Sequence, residues 1–179
     1  MADAWQTSLI ALLDAARHAA TVQQRGDLYA EIVRSIFESI PGVPQARTKV
    51  VNVAGSQEID IGFWNDQHPD GFSFLPRDVT LVECKNWTQP VSSADVAWFD
   101  TKIRQRDLTF GFLFAAHGVT GSASERTAAN HVVPQALAEG RRIIVVTSAD
   151  LASLRSETDF IDLLKDKIVD LVLKQALVP

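Results

Sequence analysis

The stretch from residue 108 to 116 constrains the fold more than any other part of the chain. Leu108, Phe110, Phe112, Leu113, Phe114, Ala115 and Ala116 make it almost wholly apolar. A short apolar run rich in Phe reads as a strand buried on both faces. Such a strand needs other strands at its edges and helices above and below. The chain supplies both. Residues 48–64 read as strand with a turn at Ala54-Gly55-Ser56, residues 79–87 as a buried central strand, and residues 142–147 as another apolar strand. Trp5, Leu9, Leu12, Leu13 and Ala16 fall on one helical stripe over residues 3–20. Arg25-Gly26-Asp27 interrupts, and Leu28, Ile32, Ile36 and Ile40 stripe a second helix over 27–40. Ser92 to Asp95 and Ser122 to Glu125 are capping-box patterns that open helices toward Arg106 and Glu139. Pro134 predicts a kink or split in the second of these. Ile161, Leu164, Ile168 and Leu171 stripe a last helix over 157–177. Residues 65–77 carry turn chemistry and read as an exposed hairpin loop. The element order α, α, β, β, β, α, β, α, β, α predicts an α/β sandwich with a mixed sheet.

At 179 residues the chain reads as a single domain over 1–179, burying about 70% of its unfolded surface. No apolar run approaches a membrane span, and the N-terminus lacks the basic region of a signal peptide. Cys84 is the only cysteine, which excludes an intrachain disulfide or a cysteine zinc cluster. A cytoplasmic protein is expected. Neither a G-x-x-x-x-G-K-[ST] phosphate cradle nor a G-x-S-x-G elbow occurs, so nucleotide hydrolysis and serine-esterase chemistry lack support.

The chemistry concentrates in residues 57–61 and 79–87. Side chains alternate along a strand, so Glu83 and Lys85 share one face while Val82 and Cys84 take the other. Cys84 therefore reads as an inert core residue. A carboxylate and an ammonium ending an apolar run are costly unless they face a cleft or each other. With Asp60 on the neighbouring strand, the site holds two carboxylates and a lysine. That combination suits a hard cation and phosphodiester cleavage.

Asp60, then Glu83-Cys84-Lys85 with Asn86-Trp87, and the upstream helical Tyr29-Ala30-Glu31-Ile32-Val33, together resemble the PD-(D/E)xK nuclease superfamily, in particular its Mrr-like restriction endonuclease branch. Ile59 stands where the pattern often has proline. The resemblance spans residues 23–150 and implies a restriction-endonuclease-like αβββαβ core, with extra helices at 1–22 and 151–179. It implies a DNA endonuclease using Mg²⁺ or Mn²⁺ in restriction or antiphage defence. Asp60, Glu83 and the main-chain carbonyl of Cys84 would be oxygen ligands. Glu31 would hold a second ion or a metal-bound water, or lie solvated. Lys85 would orient the water or stabilise negative charge; with a lowered pKa it could act as a general base.

The net charge of −5 runs against the basic footprint common in nucleic-acid binders. Any positive surface must be local, with Arg47, Lys49, Lys102, Arg104 and Arg106 as DNA-contact candidates and Arg141-Arg142 as a further cluster. DNA is the expected partner, with a homodimer or a second protein supplying targeting. The apolar stripes of the terminal helices would pack on their own sheet or on a second subunit. Two other functions fit the same residues: a DNA-repair or Holliday-junction-resolving nuclease, and a non-catalytic DNA-binding or regulatory module that keeps the nuclease fold.

Overall fold

The computed structural model describes residues 4–120 and 129–174. Its elements run α1 (Ala4–His18), α2 (Val22–Ser39), β1 (Arg47–Val51), β2 (Glu58–Trp64), β3 (Val79–Lys85), α3 (Ser93–Arg104), β4 (Phe110–Ala115), α4 (Ala129–Ala138), β5 (Arg142–Val146), α5 (Ser148–Ser153) and α6 (Glu157–Lys174). The five strands form one sheet in the order β1-β2-β3-β4-β5. The β1–β2 and β2–β3 pairs are antiparallel, while β3–β4 and β4–β5 are parallel. The result is the expected mixed α/β sheet, and every residue of β4 is buried. Among the described residues no helix is long and apolar enough to cross a membrane.

Two layers of helix enclose the sheet. On one face the Phe37 ring of α2 lies within 4.7–5.8 Å of the rings of Phe63, Phe72, Phe112, Phe114 and Phe160. Those residues come from β2, the loop after it, β4 and α6. Burying a side chain of this size is worth roughly 1.5–3 kcal/mol, so this aromatic knot is a large share of the core. On the other face α3 lays Val96, Phe99 and Ile103, all fully buried, against β4. Gly111 permits the close approach: a Cβ there would sit 2.6 Å from Ile103 Cδ1 and 2.9 Å from Phe99 Cζ.

Several elements depart from the expected boundaries. Helix α2 begins at Val22 and runs through Gly26, because Thr21 and Gln24 form a capping box. Its gain outweighs the roughly 1 kcal/mol a helical glycine costs. Residues 65–77 join the antiparallel β2 and β3 as expected and 66–70 are exposed, but the loop is not exposed throughout. Asn65 is fully buried and its amide donates to the carbonyls of Phe72 and Pro76 at 3.0 Å, while Phe72 and Leu75 enter the core. Pro134 lies inside α4 without splitting it; the capping box at Ser122 to Glu125 falls outside the described residues. The short α5 was not foreseen.

The terminal stripes pack on the chain itself. Leu9 and Ala16 of α1, and Phe160, Ile161, Leu164 and Leu171 of α6, join the one core. Ile10, Leu12, Val169 and Leu173 stay exposed.

Candidate active site

The site forms where β2 and β3 pair. The β2–β3 ladder ends with Ile61 paired to Val82; Asp60 and Glu83 are the next residues on the two strands, and alternation turns Glu83 to the face of α3. Asp60 Oδ2 accepts a hydrogen bond from the Cys84 N–H at 2.7 Å. Glu83 is 4% exposed, and two ammoniums hold its carboxylate: Lys85 Nζ lies 2.9 Å from Oε1 and Lys102 Nζ 2.7 Å from Oε2. Lys85 also sits 5.3 Å from the centre of the Trp87 ring, within reach of a cation–π contact. Asp60, Glu83 and Lys85 are thus brought together, with Lys102 as a fourth member.

The electrostatics follow from burial. Loss of water, then the charge of Glu83, raises the Asp60 carboxyl to about 6, although the Cys84 N–H and both lysines pull the other way. For Lys85, burial lowers the proton affinity. The charge of Glu83, its hydrogen bond and Asp60 outweigh that, and the net shift is upward. The lowered lysine pKa that a general base would need is therefore absent from this arrangement.

Asp60 also lines a cleft of about 430 Å³ with Cys84, Glu31, Asp27, Lys49 and Glu58. Cys84 packs against the core, as expected, but is only half-buried and also lines this cleft; burial, then Asp60 and Glu83, pushes its thiol up. Glu31 is more than half exposed at its side chain and clasped by Arg34, whose Nε donates to Oε2 at 2.9 Å. The Arg34 hydrogen bond holds its carboxyl below the usual range. Glu31 shares the cleft with Asp60 but belongs to a separate ion pair.

The basic candidates divide. Arg47, Lys49 and Arg104 are exposed, although Lys49 Nζ contacts Asp27 Oδ1 at 2.8 Å. Lys102 is 4% exposed and turned inward to Glu83, so it offers DNA no surface. Arg106 donates to Gln57 Oε1 at 2.8 Å and to the Lys102 carbonyl at 2.9 Å. Arg141 is bound by Asp100 and Glu139. The signal for Lys102 was present in the chain: it lies three residues after Phe99 and beside Ile103, on the helix face that packs inward. A buried lysine there needs a carboxylate partner.

The donors fit a hard divalent cation. Asp60 and Glu83 offer oxygen only, and the burial and Glu83 charge that raise the proton affinity of Asp60 are relieved by a cation as well as by a proton. Among the described residues no group of three or more His, Cys, Asp or Glu is arranged for a metal. A Mg²⁺ ion does not require one, since it is commonly held by one or two carboxylates, waters and substrate phosphate.

A mixed sheet enclosed by helices, with carboxylates on two paired strands and a lysine two residues on, is the arrangement of the restriction-endonuclease-like α/β proteins. The Mrr catalytic-domain family model, described as a restriction endonuclease, matches residues 25–154. The chain belongs to this family, within the PD-(D/E)xK superfamily, and is a nuclease of restriction-endonuclease type. No curated protein and no solved structure matches it.

Proposed function

We propose that this chain is a Mg²⁺- or Mn²⁺-dependent DNA endonuclease whose catalytic residues are Asp60, Glu83 and Lys85. The observation that carries the reading is Asp60 of β2 hydrogen-bonded to the Cys84 N–H beside Glu83, with the Lys85 ammonium 2.9 Å from Glu83. Asp60, Glu83 and the Cys84 carbonyl would hold the cation, whose chemistry is to acidify a bound water and offset charge on the phosphate. Lys85, held protonated by Glu83, would donate to the attacking water or to the phosphate oxygen as charge builds. Glu31, across the cleft, would receive a water bound near Asp60. Arg47 and Arg104 would contact the DNA backbone. Lys49 could join them on leaving Asp27.

Family membership supports a role in restriction or antiphage defence in the cytoplasm. Two cuts on one duplex call for two sites, which a homodimer or a targeting partner would supply. The terminal helices argue for it only weakly, because most of their stripes enters the chain's own core while Leu12 stays exposed. One observation favours a second reading, a module that keeps the fold without catalysis: both oxygens of Glu83 are already taken by lysines.

One assay separates the two. Purified protein with supercoiled plasmid and Mg²⁺ or Mn²⁺ is expected to nick or linearise it, EDTA to stop the reaction, and Asp60→Ala to remove it. Equal cutting by wild type and Asp60→Ala rejects the assigned site. Absence of cutting by a wild type that binds DNA supports the non-catalytic module.

A further inference from the structure

We propose that Lys102 is a positioning residue of the nuclease site, holding Glu83 by one oxygen and weakening that carboxylate's pull on the cation so that positive charge is left for the phosphate. The inference rests on the metal-dependent reading above. Its ground is geometric. Lys102 Nζ is 2.7 Å from Glu83 Oε2, and both side chains are 5% exposed. Taking an ammonium out of water costs several kcal/mol unless it is well paired, so the pair forms only if α3 lies close to β3. Gly111 on β4, the strand beside β3, lets α3 approach the sheet closely. Arg106 fixes the same turn by bridging the Lys102 carbonyl to Gln57, a residue just upstream of Asp60.

The charge count gives the pair a purpose beyond stability. Asp60, Glu83, Lys85 and Lys102 sum to zero. A divalent cation and a singly charged phosphodiester then leave the centre one charge positive, which matches the extra negative charge of the pentavalent transition state. Without Lys102 the surplus vanishes. The cation is held more tightly by a less compensated Glu83, and the transition state gains less. A pair that serves stability alone would change neither property in the folded protein.

The test compares wild type, Lys102→Met, Lys102→Arg and Asp60→Asn. Mn²⁺ affinity is measured by calorimetry, cleavage under single-turnover conditions at saturating Mn²⁺, and folding by circular dichroism. Lys102→Met is expected to bind Mn²⁺ about tenfold more tightly and cut at least about tenfold more slowly, with Lys102→Arg between it and wild type on both measures. Folded Lys102→Met with wild-type Mn²⁺ affinity and rate overturns the inference, as does weaker Mn²⁺ binding. Should Lys102→Met fail to fold, Lys102→Gln, whose amide can still donate to Glu83, is measured in its place. Unfolding of both assigns Lys102 to stability alone and overturns the inference. A wild type that neither binds Mn²⁺ nor cuts, or an Asp60→Asn variant that binds it equally well, rejects instead the reading on which this one rests.

Discussion

Asp60 and Cys84 are joined across the β2–β3 pair by a hydrogen bond in which the Cys84 N–H donates to Asp60 Oδ2 at 2.7 Å. The bond anchors a carboxylate that its surroundings otherwise disfavour, since burial and Glu83 both raise its proton affinity. An asparagine can accept the same bond through its amide oxygen and carries no charge. Asp60→Asn is therefore expected to keep the fold and to melt at or above the wild-type temperature in EDTA at neutral pH. It should lose cleavage. A calorimetric melt beside a plasmid assay checks both halves.

The same carboxyl sets a pH dependence. Its pKa in the folded chain is about 6 against an ordinary 3.8. The folded state therefore binds the proton more tightly, and stability from this group is lost as pH rises from about 3.8 to about 6. Other carboxyls, such as Glu31 under Arg34, move the opposite way, so the difference between wild type and Asp60→Asn is the informative quantity. In EDTA that difference should shift against wild type between about pH 4 and pH 7. Excess Mg²⁺ should recover it at pH 7 and do little at pH 4. Melts at a series of pH values, with and without Mg²⁺, provide the check; a constant difference across the series would contradict it.

Lys85 tests charge against proton abstraction. It is held protonated by Glu83 and Asp60 despite burial, so its expected contribution is a positive charge and a donor. Lys85→Ala should lower single-turnover cleavage by about 100-fold or more while leaving far-ultraviolet dichroism unchanged. Lys85→Arg keeps a charge but cannot act as a base, and should retain measurably more activity than Lys85→Ala. Equal loss in the two variants would favour the general-base role.

The part of this structure legible in the sequence is the part where period and pairing are local. The apolar run through Phe112 and Phe114 specifies a doubly buried strand, and alternation puts Glu83 and Lys85 on one face. What stayed hidden depends on tertiary contact. Gly26 reads as a break until the Thr21 cap compensates for it. Residues 65–77 read as exposed because turn residues outnumber the apolar ones, yet Asn65 satisfies the loop's carbonyls from inside and lets Phe72 and Leu75 be buried. Lys102 was assigned to DNA by its charge, although its place in the helix already turned it inward. Spacing was the better guide there, since burial of a lysine is permitted by a partner that only the fold reveals.

Glu31 separates a surface ion pair from a cleft function. Its clasp on Arg34 is an exposed i, i+3 pair, worth about 0.5 kcal/mol or less. Glu31→Gln should therefore leave the melting temperature nearly unchanged. As a member of the Asp60 cleft it is expected to lower cleavage about tenfold while leaving the affinity for the first Mn²⁺ intact. Single-turnover kinetics and calorimetry test the two parts, and unaltered cleavage would confine Glu31 to the surface pair.

Gly111 couples packing to the site. It stands on β4 where α3 crosses, and a methyl group there would meet Ile103 Cδ1 at 2.6 Å and Phe99 Cζ at 2.9 Å. The Ile103 terminus can rotate aside; the Phe99 ring, fully buried, has nowhere to go. Gly111→Ala must therefore lift α3 or repack its inner face, at a cost of about 1–3 kcal/mol. The same displacement draws Lys102 away from Glu83, because Lys102 directly precedes the clashing Ile103 in α3 and Glu83 lies on β3, the strand beside Gly111. The variant is expected to melt at lower temperature in EDTA and to cut more slowly even well below its melting point. Its crystal structure should show the Lys102–Glu83 distance grown beyond 2.7 Å. A Gly111→Ala protein of wild-type stability would show that the α3–β4 contact is looser than the close approach implies.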